Sequence, residues 1–127
     1  MNTRNEKALL ALCDRIRQIA YDLHIYLGHG HLEKVYENGL SHRLRKIGLR
    51  LSQQCPIQVR DEDGTVLGDY YADLLVEENL IVELKACRML SDEHTAQALG
   101  YLRASSLHDA LLINFGSPKL QIKKFIF

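Results

Sequence analysis

Two charges stand inside an otherwise apolar run, Leu80-Ile81-Val82-Glu83-Leu84-Lys85. Side chains at i and i+2 share one face of a strand, so Glu83 and Lys85 point the same way, about 7 Å apart. What lies opposite them follows from the preceding turn. With Glu77-Glu78-Asn79 as a three-residue hairpin loop, Val76 pairs with Leu80 and Asp73 falls opposite Glu83. Asn79 is then the residue expected in the left-handed third position of the loop. Directly opposed residues hold their Cβ atoms about 5 Å apart, close enough for two carboxylates to grip one cation. Alternating charges also occur on solvated strand faces as surface ion pairs; the apolar flanks of both strands argue against that reading here.

Two carboxylates this close repel each other and raise one pKa unless a cation or a proton sits between them. Mg²⁺ takes oxygen ligands, commonly one or two carboxylates plus waters and substrate phosphate. The Leu84 backbone carbonyl is a further candidate ligand. A lysine two residues beyond the glutamate can orient or activate an attacking water, or stabilise charge developing on phosphorus.

The rest of the chain supplies a frame for this hairpin. Leu9, Leu12, Cys13, Ile16, Ile19, Ala20, Leu23 and Leu27 recur at spacings of three and four, one buried stripe of an amphipathic helix. Gly28-His29-Gly30 ends it, and a second helix is expected from about His31 to Ile47, with Gly48 at its C-terminal cap. Residues 49–59 read as extended, with Pro56 marking an edge position or a bulge. After the Asp61–Gly64 turn, strands follow over 65–76 and 80–86. A third helix starts near Ser91 or Asp92 and runs to about Ala104, and two strands, about 109–115 and 120–127, close the chain. The order ααβββαββ describes a single α/β domain over residues 1–127, helices wrapped around a mixed sheet.

Two helical faces carry groups that suit the same site. Glu33 opens the second helix, and Tyr36, Leu40, Leu44 and Ile47 line the apolar face that follows from it. A carboxylate on the inward edge of a first turn can reach the metal directly or through water, although the helix dipole alone also favours glutamate there. On the third helix His94, Gln97 and Tyr101 share a face, from which Gln97 and Tyr101 can position a phosphate or the lysine.

Composition narrows the partners. Sixteen Lys plus Arg balance sixteen Asp plus Glu, so nucleic-acid affinity must come from a local patch or from a metal. The run His42-Arg43-Leu44-Arg45-Lys46 through Arg50 is the best such patch; cationic residues favoured by a helix C-terminus explain it equally well. Three cysteines without a CxxC pair argue against a disulfide framework, and no Cys/His set at zinc spacing accompanies His24, His29 and His31. Cys87 reads as a small buried residue rather than a nucleophile. No apolar segment approaches a membrane span and no secretory leader is legible, which points to the cytoplasm.

Gly30-His31-Leu32-Glu33-Lys34-Val35-Tyr36 resembles the signature of the GxxExxY proteins, and the ordered set Asp73, Glu83-Leu84-Lys85, Gln97 to Tyr101 resembles the D…ExK…Q pattern of PD-(D/E)xK nucleases. The likeness covers nearly the whole chain. It implies a restriction-endonuclease-like core and a Mg²⁺- or Mn²⁺-dependent nuclease with DNA as the expected substrate. Asp73, Glu83 and Glu33 would hold the metal, Lys85 would assist the water, and Gln97 would match the glutamine of the helix after the ExK strand. Tyr36, Tyr101, Arg43, Arg45 and Lys46 would be candidate substrate contacts. Ala72 replaces the proline that usually precedes the first aspartate, a mild departure because that proline carries no chemistry. A non-cleaving module of the same fold, binding nucleic acid or a protein, is the alternative, and a homodimer would enlarge the small platform.

Overall fold

The structure is a computed structural model and describes residues 5–127. Helices α1 (Glu6–Leu27) and α2 (Glu33–Lys46) lead into strands β1 (Leu51–Arg60), β2 (Val66–Val76) and β3 (Leu80–Lys85). Helix α3 (Asp92–Ser105) and strands β4 (Asp109–Asn114) and β5 (Gln121–Ile126) complete the expected order ααβββαββ. The strands form one sheet in chain order. The β3–β4 pair, joined through α3, is parallel, and the other pairs are antiparallel. All six residues of β4 are buried, as expected for a central strand covered on both faces.

The helices end where local chemistry dictates. The Asn5 side chain accepts from the Ala8 N–H at 3.0 Å, so α1 begins three residues before its apolar stripe. Helix α2 begins at Glu33 rather than His31, because the loop before it is tied to Tyr36. At its other end Gly48, at φ 89°, and Leu49 donate back to Arg45 and Leu44, the paired bonds of a Schellman cap. Ser91 caps α3 through a reciprocal exchange with His94, which removes His94 from the polar face expected of that helix.

Two cores clamp the sheet. Helices α1 and α2 pack on one side over Leu74, Val76, Leu80, Val82, Leu84 and Ile113. On the other side Tyr101 and Leu102 of α3 cover Ile57, Ala72, Ile81 and Ala110. The hairpin β1–β2 serves both sides, and this is its central feature. Leu51 packs with the α1–α2 core and Gln53 bonds to that side, yet Cys55 and Ile57 pack beneath α3. In β2, Leu74 and Val76 face α1–α2 while Ala72 faces α3. Residues of the same parity thus occupy opposite faces, although the register Gln53↔Leu74 and Cys55↔Ala72 is unbroken. The pivot is Gln54, held at φ 52° opposite Asp73. Pro56 lies on the edge strand β1, one of the two positions expected for it, and the irregularity of that strand sits two residues earlier, at Gln54.

The β2–β3 turn keeps the expected register, with Val76 paired to Leu80 and Leu74 to Val82. Its backbone differs from expectation. Glu77 and Glu78, at φ 51° and 61°, take the left-handed positions, and Asn79 donates to the Val76 carbonyl. Two consecutive residues at positive φ match the twist of the flanking strands, as in a type I′ turn. Among the described residues no helix is long and apolar enough to cross a membrane.

Candidate metal centre

The β2–β3 ladder ends at Leu74↔Val82, and side chains replace it one step further on. The Asp73 N–H donates to Glu83 Oε1 at 2.9 Å, and the Leu84 N–H donates to Asp73 Oδ2 at 2.8 Å. Each carboxylate thus satisfies a backbone donor of the opposite strand that the splayed ladder leaves free. Both residues are buried. Leu84 itself turns its side chain into the α1–α2 core.

Electrostatics follow from this packing. Burial, then the charge of Asp73, pushes the Glu83 carboxyl up to about 9. Burial raises Asp73 as well, against the hydrogen bonds from Leu84 and Gln54 that favour its charged form. Glu33 is accessible to solvent on the first turn of α2, yet surrounding protein and then Asp73 push its carboxyl up. Lys85, on the strand that carries Glu83, acts on all three in the opposite direction through its charge. On the α3 side Tyr101 packs edge-to-face on Tyr70, with ring centroids 5.2 Å apart. Burial, then Glu83 and Asp73, drives its hydroxyl up to about 12, so it remains a protonated donor.

The carboxylates fit a hard divalent cation of the Mg²⁺ kind, which needs only one or two protein carboxylates besides water and phosphate. They do not form a complete cage: among the described residues no group of three or more His, Cys, Asp or Glu is gathered to hold a metal ion. Asp73 and Glu83 are the pair in contact, and Glu33 stands at the margin, coupled through charge.

Two residues that the sequence did not single out belong to this place. Glu37, one turn after Glu33, is buried and accepts from Lys34 at 2.9 Å, Gln53 at 2.7 Å and Gln54 at 2.7 Å. Burial alone would raise its carboxyl; the three donors outweigh that and hold it below the usual range. Gln54 spans from Glu37 to Asp73, donating to Asp73 Oδ1 at 3.1 Å. The i+4 spacing from Glu33 was a usable signal for Glu37, whereas nothing in the chain marks Gln54.

Other expected residues fall outside the cluster. Tyr36 is not a substrate contact: fully buried, it donates to the Gly28 carbonyl at 2.6 Å, accepts from the His31 N–H and stacks on Phe115. Gln97 is exposed on α3, one turn before Tyr101. Arg43 lies over the Tyr26 ring, and Lys46 lines the same α1–α2 groove. Arg45 faces the other way and donates to Gln53, which links this member of the basic run to the centre through Glu37.

The sequence model of the PD-(D/E)XK nuclease superfamily matches residues 11–125. The chain belongs to that superfamily. Among solved structures it is similar to the one titled "Crystal structure of SSO0001", with a TM-score of 0.59 and 16% identity over 73% of this chain. That likeness concerns the fold alone, and the chain spans 48% of the length of that structure. No curated protein matches the chain.

Proposed function

We propose that this protein is a divalent-metal-dependent nuclease, hydrolysing phosphodiester bonds in DNA, of the GxxExxY branch of its superfamily. The observation that carries the reading is the buried Asp73–Glu83 pair with Lys85 on the same strand face. Burying two carboxylates in contact is costly unless they act on a cation or proton. Superfamily membership makes the cation the economical choice.

Asp73 and Glu83 would hold Mg²⁺ or Mn²⁺, with the Leu84 carbonyl beside them and Glu33 reaching in through water. Bound there, the cation supplies Lewis acidity toward the phosphate and a lowered pKa for attacking water. Lys85 steadies that water or the charge developing on phosphorus. Tyr101 offers its protonated hydroxyl to a phosphate oxygen, and Gln97, on the same helix, extends toward the flanking strand. Of the basic run on α2, Arg45 is the member linked to the centre, through Gln53. The GxxExxY residues divide the labour: Tyr36 locks the loop around Gly30, so that Glu33 enters the helix facing the carboxylates.

The test is cleavage of labelled single-stranded, duplex and branched DNA, and of RNA, with Mg²⁺ or Mn²⁺, beside Asp73→Ala and Lys85→Ala proteins. DNA cutting that both substitutions abolish supports the proposal. Metal binding without cutting of any substrate would move the reading to a non-cleaving module of the same fold.

A further inference from the structure

We propose that Gln54, held by Glu37, is a positioning residue that sets the orientation of the Asp73 carboxylate toward a shared cation; the inference rests on the metal-site reading above. Its amide nitrogen has two protons, and the structure uses both: one goes to Glu37 Oε1 at 2.7 Å, the other to Asp73 Oδ1 at 3.1 Å. The direction of the amide is dictated by chemistry, because carboxylate oxygens only accept.

The backbone is bent to make this bridge. A non-glycine residue at φ 52° in the middle of a strand is costly, and such strain persists where surrounding contacts over-determine it. Gln54 sits at the pivot where β1 and β2 exchange faces, so the kink brings a residue of the edge strand level with Asp73. Glu37 is itself fixed from two further sides, by Lys34 and by Gln53, and Gln53 also donates to Asn38 and accepts from Arg45. The bridge is therefore anchored on a rigid helix rather than on another mobile side chain.

Asp73 gains a defined orientation from it. Oδ2 is held by the Leu84 N–H and Oδ1 by Gln54, one bond to each oxygen, which fixes the plane of the carboxylate. Each oxygen keeps a second lone pair for a cation. Supporting partners of metal-binding carboxylates commonly carry 10- to 100-fold of metal affinity.

Two substitutions separate positioning from folding. Gln54→Gly removes the amide and also relieves the left-handed strain, which offsets part of the lost hydrogen bonding, so the protein should stay folded while Mn²⁺ affinity falls about 10-fold or more. Glu37→Met removes the anchor but keeps Gln54, and should weaken Mn²⁺ binding in the same direction. Calorimetric titration of Mn²⁺ into metal-free wild type, Gln54→Gly, Glu37→Met and Asp73→Asn reads all of this without turnover. Wild-type binding that is lost in Asp73→Asn and weakened in the other two supports the proposal. Wild-type binding left unchanged in a folded Gln54→Gly protein overturns it and leaves the metal site standing. No Mn²⁺ binding by the wild type overturns both.

Discussion

Asp73 donates its backbone N–H to the Glu83 carboxylate at 2.9 Å, so two acidic residues that would repel are locked across the end of the β2–β3 ladder. In the metal-free protein burial, and then the Asp73 charge, favour a proton on Glu83 and outweigh that hydrogen bond, which favours the charged form. The Glu83 carboxyl stands near 9 in the fold against an ordinary 4.5. The folded state therefore keeps a proton that the unfolded chain has released. Stability from that proton is fully present below the unfolded pKa and is lost as pH rises toward the folded one. Glu83→Gln cannot ionise and should escape this loss. In chelator it is expected to exceed the wild type by at least about 1 kcal/mol near pH 8, a gap absent near pH 4.5. Urea denaturation at both pH values measures it, and an equal gap at both would contradict the assignment.

Tyr36 makes a different prediction from that of a substrate contact. Removing its hydroxyl breaks the bond to Gly28 and orphans the His31 N–H. Tyr36→Phe should cost about 1–2 kcal/mol of stability and leave the substrate KM unchanged. A raised KM in a protein of wild-type stability would return Tyr36 to the substrate.

Gly116 governs the segment just beyond Lys85. A Cβ there would lie 2.3 Å from the Cys87 backbone nitrogen and 2.4 Å from the Ala86 carbonyl carbon, and neither can yield as a side-chain tip would. The neighbouring Phe115 N–H donates to the Lys85 carbonyl, so relief of the clash moves the strand that carries the lysine. Gly116→Ala should destabilise by about 1–3 kcal/mol and lower cleavage even below its melting transition. Wild-type stability and rate together would refute this.

Much of this was legible in the chain. Periodicity gave α1 and α2, the short loop of the β2–β3 hairpin fixed its register, and the register brought Asp73 against Glu83. These features are local, set by residues a few positions apart. What sequence could not reveal depends on distant backbone. The left-handed turn at Gln54 exists because Glu37 and Asp73, from two other elements, both hold its amide. Tyr36 looked like part of the site because its helix starts there, but its partner is Phe115, at the far end of the chain. The basic run on α2 could not be divided by eye, since the neighbours on either side decide that Arg45 meets Gln53 while Arg43 meets Tyr26.

The most direct test of the central claim is the rate of Mg²⁺-dependent DNA cleavage by the Lys85→Met protein, measured with Mn²⁺ binding verified in parallel. The account predicts metal binding within a few-fold of wild type and a cleavage rate lower by about 100-fold or more. A Lys85→Met protein that cuts as fast as the wild type would contradict it.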